Sequence, residues 1–267
     1  MIPYFAPPSL AIGPLTIDPF GVLAAIGIYV GARLAAGRAA RQGLDPLPII
    51  DFLFWGVLAG ILMGHAVHLF LYHPEELRDP AKIFKVWEGL SSFGGLLGGL
   101  IAAIVYFRKK RLRLLDYGDA WALGIAPGWG IARLGCFVVH DHPGVRSDFF
   151  LAVGFPGGAR HDLGLYDALA LFAIAAVLYA LARRSAWQGR LLPLLALLYG
   201  VQRFFTDFLR ATDGYSDARY LGLTPAQYFC VLLVGWGAYQ LVRSARNARS
   251  RTDPAAGPAV DPPPATP

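Results

Sequence analysis

Charge is scarce in this chain of 267 residues: Asp, Glu, Lys and Arg make up 16% of it, against 55% hydrophobic residues. That ratio excludes an ordinary soluble domain built on one core and points to several membrane-crossing helices. Cysteine is nearly absent. Cys136 and Cys230 each lie inside an apolar run, which excludes a disulfide framework and gives no zinc-ligand spacing. The N-terminal arm MIPYFAPPSLAIGPLTID lacks any basic residue, which argues against a cleaved signal peptide with its positive leading region. A net charge of +6 raises the question of nucleic acid. The basic residues, however, cluster just beyond apolar runs, so they read as topology signals and no nucleic-acid partner is expected.

What is present is length and apolarity. Seven segments approach the roughly 20 residues that a bilayer core requires: Pro19 to Ala36, Ile49 to Tyr72, Ser92 to Phe107, Tyr117 to Val139, Leu165 to Ala182, Leu191 to Leu209 and Pro225 to Val242. The third is short as drawn, and its start is expected at or before Leu90. Arg38 and Arg41, the run Arg108 to Arg113, Arg183, Arg184 and Arg190, and Arg243 to Arg251 fall in one set of loops, which belongs in the cytoplasm. The expected fold is therefore an all-α integral membrane protein with seven transmembrane helices over 1–245, N-terminus periplasmic and C-terminus cytoplasmic. A disordered tail rich in Pro and Ala follows over 246–267.

Three features inside the membrane call for chemistry, because ionisable groups there are costly. In FGGLLGG, Gly94 and Gly98, like Gly95 and Gly99, stack on one helical face. Such residues admit a neighbouring helix, and at Gly94 and Gly95 backbone amides are also candidates for a lipid phosphate. In YGVQRFFTDFLR, Arg203, Asp207 and Arg210 share a face; the surplus cation suits a phosphate, and a plain Arg–Asp pair between helices is the competing reading. In IARLGCFVVHDHPG, Arg133 sits about two turns below a mouth holding His140, Asp141 and His142. That describes an anion site beside a proton carrier. His140 and His142 at i and i+2 are weak as metal ligands without a third, and no metal or cofactor is expected.

Together these stretches resemble the prolipoprotein diacylglyceryl transferases, integral enzymes of the bacterial inner membrane. The likeness runs to about Val242 through the IGP arm, DPAKIFKVWEGLSSFGGLLGG, DAWALGIAPGWGIARLGCF with Asp119 in place, RHDLGLYDA and YGVQRFFTDFLRATDG. The resemblance implies transfer of a diacylglyceryl group from phosphatidylglycerol to the lipobox cysteine of a preprolipoprotein signal peptide. It also implies Arg133 on the head group, Arg203 as the essential arginine of the sixth segment, and Arg210 and Asp207 beside them. Asp141 and Gly144 follow the signature. His161, Tyr166 and Asp167 match the outer-loop histidine, tyrosine and acid.

The departures matter as much. Phe93 stands where the family has its histidine before GG, Cys136 where it has asparagine, Phe20 where it has tyrosine, and His65 where an arginine is usual. Expected catalytic residues are therefore Arg133 and Arg203, with the lost base replaced by His142, His140, Asp141 or His161. Expected substrate contacts are Arg133, Arg210, Asp207, Gly144, Tyr166, Gly94, Gly95 and Phe20, within surrounding membrane lipid. A silent lipid-binding homologue and a small anion transporter stay open as alternatives. An intramembrane serine protease on Ser91 or Ser92 finds no nucleophile setting in LSSFGG.

Overall fold

The computed structural model describes residues 1–252 except 7–9, 13–14, 87–88, 212 and 214–218. Gly13 and Pro14 of the IGP arm, Trp87 and Glu88 of the WEG stretch, Thr212 and Gly214 after the sixth segment, and the tail from 253 onward lie outside the described residues.

Helices occupy every one of the apolar segments. They are α1 (Pro19–Arg41), α2 (Leu47–Val67, continued by a wider turn His68–Tyr72), a short α3 (Pro80–Phe84), α4 (Ser92–Lys109), α5 (Gly118–Val139), α6 (Leu163–Leu181), α7 (Leu191–Thr206, tightened over Asp207–Leu209) and α8 (Pro225–Thr252). Five of them, α1, α2, α5, α6 and α7 with their continuations, are long and apolar enough to cross a membrane. Their outward faces carry large apolar side chains, such as Phe54 at 67% and Phe205 at 63% exposure, as lipid contact would demand.

Helix starts follow local chemistry. Asp18 accepts from the Phe20 amide with Pro19 in the first turn, and Asp162 accepts from the Leu165 amide. Ser91 caps α4 by accepting from the Gly94 amide, so this helix begins at Ser92 rather than before Leu90. Helix α8 runs past the expected tail boundary at 246, because ARNARSRT contains no residue that breaks a helix.

Glycines set the packing. A Cβ on Gly31 of α1 would stand 2.9 Å from the Gly124 carbonyl oxygen of α5, and one on Gly128 would stand 2.5 Å from that of Gly27. The two helices therefore touch backbone to backbone through paired small residues. Gly94 and Gly98 do the same for α4 against α2, at Met63 and Ala59, whereas Gly99 faces open space.

The expected all-α membrane architecture carries a few short strands besides its helices. Outside the helices lie a hairpin, β1 (Leu10–Ile12) with β2 (Leu15–Ile17), and an antiparallel sheet in the order β3 (Pro143–Arg146), β5 (Gly158–Asp162), β4 (Val153–Phe155). Ile2 adds a parallel bridge to Val153. The loop after α5 satisfies its own backbone groups this way, which is what a segment leaving the apolar layer must do.

Candidate active site

The ends of α2, α5 and α7 and the start of α4 surround a cavity of about 100 Å³. Arg133, Arg203, Arg210, His142, His68, His73, Tyr72, Leu90, Ser91 and Phe93 line it.

Three guanidinium groups meet two carboxylates here. Asp167 of α6 accepts from Arg203 Nη1 at 2.8 Å and from Gln202 at 3.2 Å, and lies 3.3 Å from Arg133 Nε. Asp207 accepts from Arg203 Nη2 and from Arg210 Nε, each at 2.9 Å, and from the Thr224 hydroxyl. Three guanidinium groups thus share these two carboxylates. Arg133 is 2% exposed and Arg203 1%, so their charges act through a medium that screens poorly. Arg133 Nη2 and Arg203 Nε have no hydrogen-bond partner among the described residues. Buried donors without partners are expensive, and an anion with several oxygens would relieve them.

Phe93 is buried with its ring 5.9 Å below the Arg203 guanidinium and stacked on Phe229. It shapes the arginine but takes no proton. Imidazoles stand instead on other walls. His142 pairs with Asp141, and burial holds its pKa below the ordinary histidine value against the pull of that carboxylate. His68 faces Glu76 at 3.5 Å and its ring lies 4.6 Å from that of His73.

Other expected residues stand elsewhere. His140 closes α5 in a left-handed conformation, with φ 53°, and bonds Asp162 at 2.9 Å. The rings of Tyr4, Phe5, Phe137 and Phe155 enclose it, so it is absent from the cavity wall. His161 and Tyr166 bond each other at 2.7 Å, also away from that wall. Phe20 packs on Gly135. The amides of Gly94 and Gly95 are already bonded to the Oγ and carbonyl oxygen of Ser91, and Gly94 is pressed on Met63, so the phosphate expectation there gives way to helix packing. Gly144 lies under Leu209 and His161 where no Cβ fits, bridges Arg210, and accepts from Arg160 at 3.0 Å. His65 anchors the loop between α2 and α4 by bonds to Gly89 and Lys82 carbonyls at 3.2 and 3.0 Å.

Some participants carried no sequence signal. His73, Gln202 and Thr224 enter only through folding, and Asp167, visible as a matching acid, turns out to join both buried arginines. The left-handed turn at His140 also folds the chain back over α5. It places Cys136 Sγ, an Asp141 oxygen and a His142 nitrogen within 4.8 Å of one another, where linear spacing offered no third ligand.

Comparison with known proteins follows the same lines. The family model for prolipoprotein diacylglyceryl transferase matches residues 7–243. A phosphatidylglycerol-prolipoprotein diacylglyceryl transferase of Chromohalobacter salexigens is 38% identical over 218 residues, covering 79% of this chain and 81% of that protein. Proteins of the same name from Pseudoalteromonas atlantica and Azotobacter vinelandii are 32% and 34% identical, covering 94% and 89% of this chain and 93% and 94% of their own lengths.

Proposed function

The chain belongs to the prolipoprotein diacylglyceryl transferase family, and from that membership we propose that it moves a diacylglyceryl group from phosphatidylglycerol to the lipobox cysteine thiol of a preprolipoprotein. The observation that carries this reading is the pair of buried arginines, Arg133 and Arg203, on one cavity, each with a donor that has no partner among the described residues. A phosphodiester fits those donors.

In this reading the lipid phosphate lies between Arg133 and Arg203, with Arg210 at the rim. Asp167 and Asp207 hold the guanidinium planes in register. The thiol loses its proton to a cavity imidazole, His68, His73 or His142, none of which Phe93 can replace. The thiolate attacks the glycerol carbon next to the phosphate, a C–S bond forms, and the C–O electron pair leaves on the phosphate oxygen. The arginines take up the charge released on glycerol phosphate.

Placement agrees with an outer-leaflet reaction. The cavity lies at the helix ends opposite Arg38, Arg41, Arg108 to Arg113, Arg183 and Arg184, so with the N-terminus periplasmic it opens outward. On the same basis α4 and α8 complete seven spans in the bacterial inner membrane, and the chain beyond α8 is a cytoplasmic tail.

The test is direct. Purified protein is incubated with phosphatidylglycerol and a lipobox peptide, and the peptide mass is followed. A gain of one diacylglyceryl unit is expected. Phe93 favours one other reading, a silent homologue, and lipid binding without any mass gain would establish that reading in place of the first.

A further inference from the structure

We propose that Cys136, Asp141 and His142 form a zinc site that binds the acceptor thiol as a thiolate. The proposal rests on the transferase reading and adds a group that holds the thiolate once a cavity imidazole has taken its proton.

The donors come from two elements that the fold brings together. Cys136 projects near the end of α5, and the left-handed turn at His140 returns Asp141 and His142 above it, with the Asp141 amide 3.4 Å from the Cys136 carbonyl oxygen. Their ligand atoms lie within 4.8 Å of one another, and His142 already contacts Asp141. Bonds of about 2.0–2.3 Å in a tetrahedron place ligands roughly 3.3–3.7 Å apart, so closing the site takes about 1 Å of movement. One thiolate, one carboxylate and one imidazole make a borderline-soft set that suits Zn²⁺ better than a hard cation. Together they neutralise the ion and leave one tetrahedral position open, the arrangement of catalytic rather than structural zinc.

The neighbours fit as well. His142 also lines the arginine cavity, so the open position adjoins the place where the phosphate would sit. Arg133 Nη1 lies 3.5 Å from Cys136 Sγ and donates to it, which supports a metal-bound thiolate and ties the metal to the phosphate-binding arginine. In the reaction the acceptor thiol enters the open position and loses its proton to the His68 imidazole, which lines the same cavity as His142. Its sulfur then forms the C–S bond while the C–O pair leaves with glycerol phosphate. No oxidant or further reactant is needed, and zinc leaves as it came.

The probe is cobalt, which reports thiolate ligation by colour. Full-length protein in detergent is stripped with a chelator and titrated with Co²⁺, then with Zn²⁺. Binding of one Co²⁺ per chain is expected, with visible bands of a tetrahedral centre and a near-ultraviolet thiolate-to-cobalt band that grows when lipobox peptide is added. Cys136→Ser and Cys136→Asn should abolish that band, His142→Ala should weaken binding roughly tenfold or more, and Cys230→Ser should leave it intact. Asparagine is the residue usual in the family at 136, so that variant guards against a folding defect. Failure of the wild type to bind stoichiometrically, or binding without the thiolate band, overturns the site. Undiminished diacylglyceryl transfer by metal-free protein keeps the transferase reading and overturns the role of zinc. Bound cobalt with the thiolate band but no transfer keeps the site and refutes the reaction.

Discussion

Arg133 and Asp119 are two buried charges on one helix, α5, about 21 Å apart at 1.5 Å per residue. They use their polar atoms in opposite ways. Asp119 gives one oxygen to the Gly189 amide at 2.7 Å and the other to the Leu191 amide at 3.0 Å, closing the turn that opens α7. Arg133 meets Asp167 and Cys136 and still has a donor without a partner. The end of the helix that spends its charge on the backbone builds the fold. The end that keeps donors in hand is where a substrate can be bound, and this distinguishes two equally buried charges better than burial does.

The widest separation should come from Arg133→Ala. Transfer of diacylglyceryl to a lipobox peptide is expected to fall by roughly a hundredfold to a thousandfold, the usual loss for one oxyanion-stabilising donor. Arg133→Lys should recover only part of this, since an ammonium keeps the charge but not the planar fork. Near-normal turnover by the alanine variant would remove Arg133 from the site and with it the contrast.

Next comes the interface that positions both ends. Gly124→Leu puts a side chain onto the Gly31 carbonyl and Ala35 of α1. Overpacking of that kind typically costs about 1–3 kcal/mol, occasionally more. Thermal unfolding in detergent should show it as a lowered midpoint, with turnover reduced through the tilt of Arg133. An unchanged midpoint would mean that α1 and α5 do not rely on their glycine contact.

How far the sequence reveals this architecture can be judged from the same helix. Apolar runs of bilayer length place α1, α2, α5, α6 and α7, because hydrophobicity alone decides where such helices form. Arg133 and Arg203 stand out because charge is rare in those runs. Asp167 does not reveal its bridge to both, since the contact spans 34 and 36 residues and depends on how α5, α6 and α7 pack. The paired glycines of α1 and α5 pass as ordinary apolar sequence, while Gly99, in a conspicuous repeat, faces nothing. His140 is the most instructive case. Its chemistry suggests a base, but its backbone is what matters: a left-handed residue ends α5, buries its own ring among aromatics and carries Asp141 and His142 back over Cys136. No spacing rule predicts that turn.

Asp119→Ala should produce a smaller and opposite result. Two amides at the start of α7 lose their acceptor, and an unsatisfied buried donor costs about 1–3 kcal/mol. The thermal midpoint is expected to drop while turnover per folded molecule stays near the wild-type value. A loss of turnover without a loss of stability would make the two ends of α5 alike.

The smallest effect concerns a fourth arginine, Arg160, which spends its donors on protein as Asp119 spends its oxygens. It grips Asp213 through two bonds, at 2.9 and 2.6 Å, and the Gly144 carbonyl at 3.0 Å. The bond from Arg160 is the main reason that the Asp213 carboxyl titrates below the usual carboxylate range. A depressed carboxylate pKa stabilises the folded state above the unfolded value near about 3.9, and that contribution disappears as the pH falls through the folded value. The grip should therefore hold through neutral and mildly acidic conditions and release only in stronger acid. Because Asp213 is exposed, solvent and salt screen the pair and keep its contribution small. Thermal midpoints of wild type and Asp213→Asn, measured in low salt from about pH 6 to pH 3, should differ at the upper end and converge at the lower. A difference that persists in acid would show that Asp213 acts through something other than its charge, and Arg160 would then no longer stand with Asp119 as a purely architectural ion.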